Sequence, residues 1–149
     1  MNKPLSPKNP DFREAINEVL AGQHFMHHLG FKLTHIEPGD VSGEMPFQGF
    51  LRQQNGFLHG GAIATVCDLV AGFAAYSLVN SNEYVMTVEL KISYLNPGIG
   101  QIISARGTVL KTGSRLHFCE SEVYTTGDGQ EPKLIAKATA TMITLPKPY

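Results

Sequence analysis

The sequence has no excess of charge of either sign: lysine and arginine together number 12 against 13 acidic residues in a chain of 149. Broad electrostatic attraction to nucleic acid or to an anionic membrane is therefore excluded, and an anionic ligand has to be held by a local cluster. Long hydrophobic runs are missing too. The longest nearly apolar stretch, Ala62 to Ala75, carries Asp68 at its centre and is shorter than the roughly 20 residues a membrane helix needs. Residues Met1 to Pro7 lack the apolar core of a signal peptide, so a cytoplasmic protein is expected. Cysteine is scarce. Cys67 and Cys119 lie in apolar segments without CxxC or CxxH spacing, which removes a disulfide or metal framework and leaves reduced core thiols. Without repeats, low-complexity tracts or linkers, residues 1–149 are expected to form one domain.

What is present is apolar and small. Apolar residues make up 42% of the chain and charged ones 17%, a globular composition with surface left for a partner to cover. Asn9-Pro10-Asp11 predicts a helix start, with Phe12, Ile16, Val19 and Leu20 on one face and an end at Gly22. Two strands follow, about Phe31 to Glu37 and Val41 to Phe47, around the turn Pro38-Gly39-Asp40.

From Gly60 to Val79 the chain reads as one long helix. Large groups recur at Ile63, Val66, Val70 and Phe73, and small ones at Gly61, Ala64, Ala71, Gly72 and Ala75. With no polar side, this helix is expected to be buried all round. From Tyr84 onward, Tyr84, Met86, Val88, Leu90, Ile92 and Tyr94 alternate strictly with Thr87, Glu89, Lys91 and Ser93, as in a half-buried antiparallel strand. Gln101 to Lys111 and Arg115 to Thr126 flank Thr112-Gly113-Ser114 as a hairpin. In the last strand Leu134, Ala136, Ala138, Ala140 and Met142 share a face, and the alanines allow a helix to lie close. The order predicts an α+β fold, an antiparallel sheet wrapped around a central helix. One sheet covers one side of that helix, so a second subunit is expected over the small-residue face.

Asp68 is the only charged residue between Gly60 and Val79, and a carboxylate in such a helix is costly unless paired or wet. Upstream, Asn55-Gly56-Phe57-Leu58-His59-Gly60-Gly61 puts a glycine-bearing turn at the helix start. The free N–H groups of Gly60 and Gly61 and the positive dipole end meet there, where negative charge developing on a carbonyl oxygen can be bound. Asp68 lies eight residues past Gly60, about 12 Å along a helix. One chain's pair is too far apart to grip one carbonyl. An antiparallel partner helix would bring Asp68 of one subunit to Gly60 of the other, making the site a property of the dimer.

His59-Gly60-Gly61, Asp68 nine residues after the histidine, and Thr87-Val88-Glu89-Leu90-Lys91-Ile92-Ser93-Tyr94-Leu95-Asn96-Pro97 resemble the PaaI-like branch of the hotdog thioesterases, from about Phe25 to Leu145. The resemblance implies a hotdog fold, dimeric or a dimer of dimers, that hydrolyses an acyl-CoA or aryl-CoA to free acid and CoA without cofactor or metal. It implies that Gly60 polarises the thioester carbonyl through its N–H and that Asp68 is nucleophile or general base. Thr87 matches an assisting hydroxyl on the following strand. The family often has asparagine six residues before the histidine; this chain has Gln53 there, which leaves Gln53 or Asn55 for that role. His59 could serve as a base, whereas the resemblance implies that it fixes the turn.

A thioester is already activated, so one oriented carboxylate and an oxyanion donor suffice, and the lack of a GxSxG motif is no obstacle. Cys67 points about 100° away from Asp68 around the helix and reads as core. His24, His27 and His28 have helical spacing, but no carboxylate or cysteine joins them as metal ligands. Lys111-Thr112-Gly113-Ser114-Arg115 forms a basic tip, read either as a contact for the phosphates of CoA, through Lys111, Gly113, Ser114 and Arg115, or as a solvated turn. Two other readings stand beside hydrolysis. One is hydration or dehydration of a hydroxyacyl thioester, which needs a histidine–carboxylate pair such as His59 with Asp68. The other is a non-catalytic acyl-CoA sensor.

Overall fold

The first helix begins two residues later than capping by Asn9 implies. The computed structural model describes residues 4–148. In it α1 spans Phe12–Ala21, with Asp11 at the N-cap, and the Asn9 side chain accepts from the Asp11 N–H in the turn before it. Phe12 and Ile16 are buried, while Val19, expected on the same face, is 39% exposed. The helix stops at Gly22, and a short α2 (His24–Leu29) follows; sequence reading saw only its histidine spacing. Its end is a left-handed Gly30.

Strands β1 (Lys32–Glu37) and β2 (Asp40–Pro46) precede a 3-10 turn (Gly49–Leu51) and the long helix α3 (Gly60–Tyr76). Then come β3 (Glu83–Tyr94), β4 (Ile102–Thr112), β5 (Leu116–Thr126) and β6 (Lys133–Pro146). The six strands lie in the order β1-β2-β4-β5-β6-β3, all neighbours antiparallel. The sheet packs against α3, the hotdog arrangement that the resemblance implies. β3 crosses the sheet to its far edge, beyond β6.

Helix α3 ends at Tyr76, three residues short of the expected Val79, because Ser77 turns the chain: its hydroxyl donates to Ala74 O and accepts from the Gly39 N–H, each at 2.7 Å. Val66, Cys67, Val70 and Phe73 face the core. The small residues do not form one stripe. Ala71 and Ala75 are fully buried, and α3 lies so close to β4 that a Cβ on Gly107 would sit 2.3 Å from the Val70 carbonyl. Gly61, Ala64, Asp68 and Gly72 stay partly or wholly open. Within one chain the helix is therefore not buried all round.

Two β-bulges correct the expected alternation. On β3 the register shifts between Thr87 and Glu89, which pair with the consecutive residues Met142 and Thr141. Val88 is the extra residue and is 59% exposed. The shift puts Thr87 on the helix side together with Leu90 and Ile92, where strict alternation sets them on opposite faces. On β6 Val123 pairs with Ala136 and Tyr124 with Leu134, so Ile135 bulges inward and is fully buried in place of Leu134. Ala136, Ala138, Ala140 and Met142 face the core as expected.

Candidate active site

The start of α3 is built by backbone bonds. Leu58 N–H donates to Gly98 O at 3.0 Å and His59 N–H to Leu51 O at 2.8 Å, which pins the residues before the helix. His59 is extended and caps the helix with its ring: Nδ1 accepts the Gly61 N–H at 2.9 Å. Its carbonyl accepts from Ala62 and Ile63 at 3.0 and 3.2 Å. The Gly60 N–H finds no acceptor among the described residues, and it points from a helix N-terminus, where a partial positive charge collects.

Two turns further on, Asp68 is half-buried. The Thr87 hydroxyl donates to its Oδ1 at 2.6 Å, a length suited to a charge-assisted bond. The β3 bulge makes this contact, since it turns Thr87 toward α3. Oδ2 has no protein donor among the described residues. Asp68 and Thr87 open onto a cleft of about 330 Å³ between α3, the end of α1 and β3, at the small end of ligand sites. Gly72, Phe73, Tyr76 and Tyr84 line it; the sequence marked Phe73 and Tyr84 only as packing residues of the helix and the strand, and Tyr76 not at all.

The thiols are inert neighbours. Burial, with a smaller push from the Asp68 charge, raises the Cys67 pKa to about 11, and burial raises Cys119 to about 12. Neither supplies a thiolate near neutral pH.

The remaining sequence candidates are spread over separate hollows. Gly60 shares one with Gln53, Tyr94 and Asn96. Gln53 turns inward on its own loop: its Oε1 accepts from the Asn55 N–H, and its backbone N–H donates to Phe57 O at 2.8 Å. Asn55 is exposed and does not line that hollow. His59 and Gly61 border another hollow with Phe25, His28, Phe50 and Thr65. Lys111, Gly113, Ser114 and Arg115 rim a third, floored by Leu116, Phe118 and Ile143. Of the histidine triplet, His27 Nε2 bonds Ala21 O at 2.9 Å and His28 stacks on Phe50 with centroids 5.1 Å apart. Sequence reasoning missed Tyr94, whose hydroxyl donates to Gly60 O at 3.1 Å. Its signal was available: it stands on the same strand as Thr87, seven residues on. No described helix is long and apolar enough to cross a membrane.

Comparisons with known proteins agree with this architecture. A solved thioesterase family protein from Silicibacter pomeroyi superposes with a TM-score of 0.88 at 37% identity, over 91% of this chain and 98% of that one. The Escherichia coli PaaI protein of the phenylacetic acid degradation operon has a TM-score of 0.82 over 92% of this chain and 95% of its own; at 15% identity it shows the fold alone. In sequence, the medium/long-chain acyl-CoA thioesterase YigI of Escherichia coli is 27% identical over 143 residues, covering 82% of this chain and 90% of its own. The family model for the thioesterase superfamily matches residues 55–131, just over half the chain and the segment that holds His59, Gly60, Asp68 and Thr87. This chain, with its hotdog fold, belongs to the thioesterase superfamily.

Proposed function

We propose that the protein hydrolyses an acyl-CoA or aryl-CoA thioester to free acid and CoA at sites shared between two subunits. The carrying observation is the Thr87–Asp68 pair, which opens onto a cleft along the uncovered face of α3. The acyl-CoA thioesterase name of the Escherichia coli relative supports the substrate class.

Asp68 acts in one of two ways. As general base it takes a proton from water while the water oxygen bonds to the thioester carbon. As nucleophile it forms an anhydride that water then opens. In both, negative charge moves onto the carbonyl oxygen, where the Gly60 N–H meets it, and the C–S bond then breaks, with the CoA sulfur leaving to be protonated. Thr87 holds Asp68 in one rotamer. Gln53 borders the Gly60 hollow and is the better placed of the two amides to orient water; Asn55 remains at the loop surface. His59 supports the turn through Nδ1, and His59 and Asp68 of one chain stand about 13 Å apart along α3, too far to act as a pair within it.

The second subunit follows from the same surface. β3 is an edge strand of 12 residues with Met86, Val88 and Tyr94 more than half exposed, beside the open face of α3. Long apolar edges call for a partner strand. A second copy paired along β3 in an isologous dimer sets the two α3 helices side by side and antiparallel, and brings Gly60 of one to Asp68 of the other. Such dimers can pair again into tetramers. Lys111 and Arg115, with the hydroxyl of Ser114 and the open turn at Gly113, suit the phosphates of CoA, and the apolar floor below suits its adenine. We read residues 1–149 as one such domain working in the cytoplasm, where its two buried free thiols stay reduced.

An acyl-CoA panel assayed for free thiol tests the reading. Asp68→Asn keeps the shape and removes the base, and kcat should fall by at least about 100-fold. Unchanged thiol release by Asp68→Asn, or full activity in a stable monomer, would sink it.

A further inference from the structure

Two consecutive glycines start α3, and glycine has more backbone freedom to lose than any other residue. The direction of the Gly60 N–H therefore depends on what clamps the peptides on either side of the Gly60 Cα. The His59–Gly60 peptide is held at its carbonyl by the Ala62 and Ile63 N–H groups, at 3.0 and 3.2 Å. The Gly60–Gly61 peptide is held at both ends. Its N–H reaches His59 Nδ1 at 2.9 Å, and its carbonyl accepts the Tyr94 hydroxyl at 3.1 Å. The Tyr94 ring also lies over Gly60, where an added Cβ would stand 3.4 Å from both Cε1 and the hydroxyl oxygen. Tyr94 is 55% exposed, so it is placed by this contact rather than by core packing.

We infer that Tyr94 is a positioning residue for the oxyanion donor: by donating to the Gly60 carbonyl it fixes the backbone angles of Gly60 and so aims the Gly60 N–H. The bond also polarises the peptide it caps, which strengthens the Gly61 N–H as a donor to His59. A neutral His59 is thereby held with its proton on Nε2, because Nδ1 is an acceptor. Strand β3 thus serves both halves of the chemistry: Thr87 orients the carboxylate and Tyr94, seven residues on, orients the donor. The inference rests on Gly60 being the oxyanion donor in thioester hydrolysis.

Tyr94→Phe tests it, because it keeps the ring and removes the hydroxyl. Two readouts are taken: steady-state kinetics on an acyl-CoA that the wild type hydrolyses, and the amide resonance of Gly61 in a ¹H–¹⁵N correlation spectrum. The expected result is a fall in kcat of about tenfold with KM little changed, and a displaced Gly61 resonance. Wild-type kcat in Tyr94→Phe, or a Gly61 resonance that does not move, overturns the assignment. If the wild type releases no thiol from any acyl-CoA, the thioesterase reading fails by itself, and the Gly61 resonance still decides whether Tyr94 clamps the turn.

Discussion

The two faces of α3 differ in how little they leave free. Toward the sheet, Val70 and Ala71 press on Gly107 so closely that no side chain fits between them, and Cys67 is sealed away with its thiol pushed up to about 11. Toward the open side, Gly72 has nothing within 4 Å of an added Cβ, and among the described residues Asp68 accepts from a single protein donor, Thr87. The closed face fixes the helix to the sheet. The open face holds a carboxylate by one hydrogen bond to Oδ1 while keeping a cleft available. A rigid support beside an accessible acid suits a preorganised site, and under the proposed function the contrast separates stability from activity by face.

Substitution on the closed face tests that separation first. Gly107→Ala sets a methyl against backbone that cannot yield, so α3 must shift from β4, and a loss of about 3 kcal/mol of stability is expected. Chemical denaturation reads it, and a variant as stable as wild type would show that the two elements are not in tight register. On the open face Thr87→Val keeps the shape and removes the donor to Asp68. A hydrogen bond to a charged group contributes about 2 kcal/mol, so kcat should drop by about 30-fold while the melting temperature stays near wild type. The reverse pattern, lost stability with intact turnover, would make Thr87 a structural residue.

Much of this was legible in the sequence, for physical reasons. A helix made of small and apolar residues with one acid has to put that acid at an edge, and Asp68 announced itself in that way. The hairpin 101–126 followed from a glycine-bearing loop between two strand-like runs, and the succession of elements along the chain, α2 apart, followed from periodicity and turn residues; the sheet order, with β3 beyond β6, did not. The bulges were not legible. Val88 and Ile135 are ordinary β-formers, and which residue is squeezed out depends on the register of β6 against β3 and β5, a non-local quantity. Because Thr87 turns inward only through the Val88 bulge, strict alternation places it on the wrong face even though its identity as a site candidate came from the motif. The split of the alanines has a similar origin: Ala71 and Ala75 look like Ala64 in composition, but Gly107, more than thirty residues away, draws one end of the helix onto the sheet. The single-chain geometry also scatters Gly60 and Asp68 into different hollows, which is why the site is proposed between two copies.

The closed side also contains a titratable group, and it offers the smallest test. His117 is 1% exposed on β5; its Nδ1 meets the Thr112 hydroxyl at 2.8 Å and its Nε2 the Thr144 hydroxyl at 2.7 Å. Burial, then the charge of Lys8, lower its pKa from the usual 6.5, and the carboxylate of Glu83 opposes them. The unfolded chain therefore binds this proton more readily than the folded one. Stability from the neutral ring is complete above about pH 6.5 and drains away as the pH falls below it, by at most about 1.4 kcal/mol at pH 5.5. Asp40, held below the usual carboxylate range chiefly by its Arg106 hydrogen bond, titrates lower still and leaves this window clear. Melting temperatures at pH 7.5 and 5.5 should thus fall for the wild type and stay level in His117→Gln, whose amide can still meet a threonine hydroxyl. An equal fall in both would mean that the closed side tolerates a charge and that the contrast between the faces is weaker than its packing implies.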